Sequence, residues 1–146
     1  MFKHILISTD GSPISNKAAK AGIALASALG AKVTGYCAVE PMQLIYAEGY
    51  AFNQKMIEEI EQHARNAAQK RVDVIGKMAK AARVPFTSVV TKTFTPYEGI
   101  IDAAKKQKCD VIFMASHGRR GLSALIMGSI TQKVLTHSRI PVVAYR

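Results

Sequence analysis

No apolar run in the chain approaches the ~20 residues that a membrane-crossing helix needs, so no membrane span is expected. The opening Met1-Phe2-Lys3-His4-Ile5-Leu6-Ile7 lacks the long apolar stretch and small-residue cleavage site of a secretory leader. It reads as a first strand, and the missing targeting signal favours the cytoplasm. The two cysteines, Cys37 and Cys109, are far apart, and buried thiols are expected rather than a disulfide. The four histidines, His4, His63, His117 and His137, show no metal-ligand spacing, which argues against a metal site built from side chains. Repeats, linkers and low-complexity segments are missing too. The 146 residues therefore read as one domain with one core.

Acidic residues are scarce: 10 Asp and Glu against 20 Lys and Arg leave a formal net charge of +10. Such a balance suits nucleic acid, an anionic surface or an anionic small ligand. The basic residues, among them Lys17, Lys20, Lys32, Arg65, Lys70 and Arg71, mostly fall on the polar faces of helices, where charge is commonly just solvated. Phe and Tyr do not interleave with them as in a base-stacking platform. Nucleic acid is thus not the expected partner.

What is present is an alternation of strand and helix signals. His4 to Ser8 is a buried strand. Ser12-Pro13 is an N-cap followed by proline at the first helical position, and Gly30 stops that helix. Lys32 to Val39 is a second strand, and residues 42–54 read as a loop with helical turns. A long helix is expected from about Met56 to Ala82, with Ile57, Ile60, Ala64, Ala67, Val72, Ile75, Met78 and Ala82 as its apolar stripe. Glu58, Glu59 and Glu61 early in that helix, and Lys77, Lys80 and Arg83 late, complement its dipole. A third strand covers Phe86 to Thr91. Thr95-Pro96-Tyr97-Glu98 has the pattern of a capping box opening a helix to about Lys108. Val111 to Ser116 is a fourth strand. Ser129-Ile130-Thr131-Gln132 is a second capping-box pattern, and Ile140 to Tyr145 is the last strand. Apolar strands joined by helices predict an α/β fold: one open, doubly wound parallel sheet of five strands with helices on both faces.

Ligands of such sheets bind beyond the carboxyl ends of the strands. Two ends are unusual: Thr9-Asp10-Gly11 after the first strand, and Ser116-His117-Gly118-Arg119-Arg120-Gly121 after the fourth. If those strands are neighbours, their loops face each other across a crevice. Gly118 and Gly121 would let backbone approach an anion. The helix start at Gly128-Ser129 offers N–H groups ahead of the first helical bond. Ser129 and Thr131 add hydroxyls, Arg119 and Arg120 add charge, and His117 is a further phosphate contact. Each feature also has a plain reading, with the glycines serving the turn, Ser129 acting as an N-cap and His117 idle. Asp10 either stops the strand by bonding local backbone, or accepts from ribose hydroxyls or holds magnesium through water. The Walker A lysine pair and the Rossmann glycine fingerprint are both absent.

With these residues the chain resembles the universal stress protein family. The likeness covers essentially its whole length: Thr9-Asp10-Gly11-Ser12, Val111 to Gly118, Gly128-Ser129 and Pro141-Val142-Val143. ATP-binding members carry glycine, two residues, glycine, nine residues, then glycine with serine or threonine. Gly118 and Gly128-Ser129 fit, while Ala115 stands where the first glycine is expected. The resemblance implies sheet order 3-2-1-4-5. It also implies ATP or a related adenine nucleotide, with magnesium, as ligand. Asp10, beside Thr9, would meet ribose or metal, and the backbone of Ala38 and Val39 would meet adenine. Met114 and Ala115 would line the ribose, and Gly118, Gly128, Ser129, Ile130 and Thr131 would hold the phosphates.

Three functions compete. They are an ATP-binding stress or signalling module with no dedicated catalysis, a slow ATPase, and a family member whose empty or weak site leaves it to act through protein or nucleic-acid partners. The last strand, Pro141-Val142-Val143-Ala144-Tyr145, is an apolar sheet edge, and a homodimer through it is expected.

Overall fold

The computed structural model describes residues 1–41, 53–118 and 127–146. The loop expected over 42–54 and the positions of Arg119, Arg120 and Gly121 therefore lie largely or wholly outside the described residues. The elements are β1 (His4–Ser8), α1 (Pro13–Leu29), β2 (Lys32–Val39), α2 (Gln54–Ala81), β3 (Phe86–Lys92), α3 (Pro96–Lys106), β4 (Val111–Ala115), α4 (Ser129–His137) and β5 (Val142–Tyr145). The strands form one sheet in the order β3-β2-β1-β4-β5, and every neighbouring pair is parallel. This is the doubly wound arrangement expected.

Alternation along β1 divides the core between the two faces of the sheet. Ile5 and Ile7 pack with Ile23, Val33, Ile75 and Phe113 against α1 and α2. Leu6 packs on the other face with Tyr36, Ile101, Ile112 and Val134 against α3 and α4. α1 is delimited by its local signals. The Ser12 hydroxyl accepts from the Ser15 N–H, Pro13 starts the helix, and Gly30 closes it at φ 65°, a conformation that only glycine adopts without strain.

α2 departs from its sequence reading. Asn53 caps it by accepting from the Met56 N–H at 2.8 Å, so Glu58, Glu59 and Glu61 lie beyond the first turn, where the dipole effect has faded. Its 28 residues span ~42 Å at 1.5 Å each, whereas the seven of β3 span ~23 Å. The helix therefore overhangs the sheet. Its buried residues are Ala68, Val72, Ile75 and Ala79. Ala67 is exposed, and Ile60 is 39% exposed, because the N-terminal half runs out past the strand ends, where a cleft opens between helix and sheet.

Neither capping box forms. Thr95 makes no side-chain cap bond. Thr93 Oγ1 accepts from the Thr95 N–H instead, and the Glu98 carboxylate accepts from the Tyr97 hydroxyl. At α4 the cap is Gly128 and Ser129 is the first helical residue, again without a side-chain cap bond.

At the opposite end of the sheet from the expected site, His4 is buried. Its Nε2 shares a 2.8 Å bond with Thr34 Oγ1, while Nδ1 has no partner among the described residues. Cys109 lies in the same region, and burial pushes its thiol up to about 11. Burial, with the nearby Lys32 charge, holds the His4 imidazole below its ordinary 6.5. The unfolded chain then takes up this proton at higher pH than the folded one. This contribution is complete above the unfolded value and is lost as pH falls through the folded one. Urea midpoints are expected to drop from pH 7.5 to pH 5, and His4→Gln should remove most of that drop. Parallel profiles for the two proteins would refute this.

Candidate functional site

β1 and β4 are neighbours at the centre of the sheet, so the residues after them emerge side by side. The turn after β1 is built on hydroxyls. The Thr9 N–H donates to the Tyr36 carbonyl, and its Oγ1 accepts from the Gly11 N–H at 3.0 Å and lies 3.0 Å from Ser15 Oγ. Thr9 is buried, and its side chain braces the turn. Asp10 is half-buried, and its Oδ1 accepts from the Ser12 N–H at 2.9 Å. Bonding to local backbone is thus one of its functions, and it holds the carboxylate in a fixed orientation. Gly11 turns the chain at φ 78°.

The start of α4 is clamped onto the end of β4. The Gly128 N–H donates to the Ser116 carbonyl at 2.8 Å, and the Thr131 hydroxyl donates to the Ala115 carbonyl at 2.9 Å. A β-carbon on Gly128 would come within 3.1 Å of the His117 Cα, so this approach needs a residue without one. The first intrahelical bond runs from Gln132 to Gly128, and the N–H groups of Ser129, Ile130 and Thr131 precede it. Ser129 and Ile130 are exposed, whereas Thr131 is buried with its hydroxyl engaged. His117 Nδ1 lies 3.1 Å from Ser116 Oγ.

Gly118 brings the two ends together. A β-carbon there would fall 2.5 Å from Asp10 Oδ2, so the Asp10 carboxylate rests directly against the Gly118 backbone. Gly118 is not in the left-handed region, and what its glycine provides is space. Met114 and Ala115 are both buried. Met114 packs in the cluster facing α3 and α4, and the Ala115 methyl in the cluster facing α1 and α2. Ala38 and Val39 end β2, half-buried. From Val39 a cleft of about 610 Å³ opens between β2, β3 and the overhanging part of α2. Its described lining includes Ile60, Arg65 and the paired Glu61 and Lys92, but none of Asp10, Gly118 or Gly128. Among the described residues, no group of three or more His, Cys, Asp and Glu side chains could hold a metal ion.

Sequence reasoning missed Arg71. Its Cγ and Cδ lie 2.9 Å from where a Gly11 β-carbon would be, so its stem crosses the turn that carries Asp10. In sequence it is one of many basic residues on an amphipathic helix, and nothing local distinguishes it.

A five-stranded parallel sheet with helices on both faces, and with a carboxylate beside a helix start at its central strand ends, places the chain in the class of doubly wound α/β proteins. The family model for universal stress proteins matches residues 1–146, and the chain belongs to that family. It is 30% identical to universal stress protein MJ0531 of Methanocaldococcus jannaschii, over all of this chain and 83% of that one. It is also 30% identical to a universal stress protein of Thermus aquaticus over the full length of both. Among solved structures it is similar to MJ0577 (TM-score 0.83, 23% identity, 99% and 96% of the two chains). It is similar also to a universal stress protein in complex with cAMP (TM-score 0.72, 20% identity, 99% and 97% covered). A third is the Archaeoglobus fulgidus universal stress protein in complex with dAMP (TM-score 0.59, 14% identity, 100% and 98% covered). At these identities the three structures bear on the fold alone. Among the described residues, no helix is long and apolar enough to cross a membrane.

Proposed function

We propose that this chain is an adenine-nucleotide-binding module, with ATP as ligand, and that the nucleotide lies across the ends of β1 and β4. The observation that carries this reading is the contact of the Asp10 carboxylate with Gly118, beside the clamped N-terminus of α4. A carboxylate accepts hydrogen bonds from ribose hydroxyls. Unpaired helix N–H groups and the positive end of the dipole hold phosphate. Asp10 would take the ribose, and the backbone of Gly128, Ser129 and Ile130 the phosphates. Thr131 would contribute its N–H rather than its hydroxyl. Magnesium would draw its ligands mainly from the phosphates, with Asp10 contributing through water. The Ala115 methyl is compatible with the reading despite the departure from glycine, because it packs into the core. The cAMP and dAMP complexes of similar folds support the adenine class.

Binding, rather than turnover, would be the activity. Residues 116–129 contain no carboxylate to orient an attacking water. Denaturing the purified protein and identifying the released nucleotide tests the reading, followed by calorimetry on the stripped protein with ATP and magnesium. Absence of both retained and added nucleotide at low salt would overturn it. Turnover above ~1 per second would shift it toward an enzyme.

The homodimer belongs to the same proposal. The carbonyls of Pro141 and Tyr145 accept from β4, so by alternation the N–H and C=O of Val142 and Ala144 point outward along the sheet edge. A second copy adding its own β5 would pair them symmetrically. Val143→Lys is a poor probe, since Val143 packs on the core. Ala144→Pro removes an outward donor and leaves the β4 ladder alone. Light scattering should give twice the 15.8 kDa chain mass for the native protein and one chain mass for the variant. A native monomer at tens of micromolar would exclude the arrangement.

A further inference from the structure

Arg71 is half-buried on α2, and its charge has no evident structural task. Among the described residues it makes no hydrogen bond or ion pair, and neither of the two side-chain ion pairs found there includes it. Its stem is nevertheless fixed. Cγ and Cδ lie 2.9 Å, and Nε 3.1 Å, from the position of a β-carbon on Gly11. The neighbouring Val72 and Ala68 are buried against β2 with Cys37, and Val39 packs on the same cluster. Arg71 thus approaches the Asp10 turn from the β2 side, while Gly118, Gly128 and the start of α4 approach it from the β4 side. With its stem packed over Gly11 and no acceptor for its guanidinium among the described residues, the charged end of Arg71 is left available to a ligand.

We infer that Arg71 is a base-recognition residue of the nucleotide site, its planar guanidinium lying on or beside the purine. This rests on the nucleotide reading above and deepens it. With the phosphates held on the β4 side and the ribose at Asp10, the base extends toward β2, which is the side Arg71 occupies. An arginine there stacks on an aromatic ring as well as carrying charge, which a lysine ammonium does not do to the same degree. Gly11 has a second function in this arrangement. It turns the chain, and it leaves room for the stem that aims the guanidinium.

The test is calorimetry with adenosine, AMP and ATP on the full chain and on Arg71→Met and Arg71→Lys. Both variants keep a flexible stem over Gly11. Arg71→Met is expected to weaken all three ligands by about tenfold and by the same factor, because the base is common to them. Arg71→Lys should recover less than half of that loss on a logarithmic scale. Melting temperatures should stay within a few degrees of the native value, separating a binding loss from a folding one. Equal affinities in native and variant proteins overturn the inference and leave the nucleotide reading intact. A loss that grows from adenosine to ATP and fades in high salt also overturns it, by assigning Arg71 to the phosphates. A native chain that binds none of the three removes the nucleotide reading itself, and this inference with it.

Discussion

Gly118→Val is expected to weaken ATP binding by about two orders of magnitude or more while leaving the chain folded. The new β-carbon would fall 2.5 Å from Asp10 Oδ2 and 3.5 Å from Asp10 Cγ. The carboxylate must swing away, and it loses the orientation that the Ser12 N–H gives it. A charge-assisted hydrogen bond is worth ~1.5–3 kcal/mol, and each ~1.4 kcal/mol is a factor of ten in affinity. The two further methyl groups of valine enter the space between the strand ends, which adds exclusion to the lost contact. Stability should change little. Gly118 needs no left-handed conformation, and the group that must move is the end of a half-buried side chain. Asp10→Asn separates the two effects, since it keeps the shape and removes the charge. Calorimetry and a urea titration on the same preparations measure both. Native-like affinity in Gly118→Val would remove the β1–β4 crevice from consideration.

Leu6→Ala should produce the largest loss of stability, about 3–4 kcal/mol. Leu6 is fully buried on the central strand, with β2 and β4 on either side and α3 and α4 covering its face. Leu6 is packed on all sides, so a cavity term is expected to add to the transfer term. For a chain of this size the melting temperature should fall by about 10 °C. Val143→Ala, on the half-buried edge strand, should cost about 1 kcal/mol. Urea midpoints at constant m-value measure both losses. A Leu6→Ala loss no larger than that of Val143→Ala would contradict the position of β1 at the centre of the core.

The sequence by itself determined the elements whose signals are local. β1, α1 and β2 begin and end where their residues dictate. Short apolar runs are buried wherever a parallel sheet forms, and Ser12, Pro13 and Gly30 act through their own backbone and their immediate neighbours. Gly118 after a strand and Gly128 before a helix were also legible, because strand ends and helix starts are local patterns, whereas their spacing was read from the family resemblance.

Tertiary structure decided what depends on orientation. Both capping boxes failed, because neighbouring groups took the bonds they needed or moved the helix start. Thr93 took the Thr95 N–H that the Glu98 carboxylate would have accepted from, and the clamp of α4 on β4 made Gly128 the cap in place of Ser129. The expected stripe of α2 is kept at Val72, Ile75, Met78 and Ala82 but lost at Ile60 and Ala67, because the sheet beneath the helix is shorter than the helix. Thr131, read as a phosphate hydroxyl, was drawn to the Ala115 carbonyl. The contact of Asp10 with Gly118 and the crossing of Arg71 over Gly11 join residues far apart along the chain. No periodicity encodes such meetings. They follow from the order of strands in the sheet, which is set by how all the apolar faces are buried together.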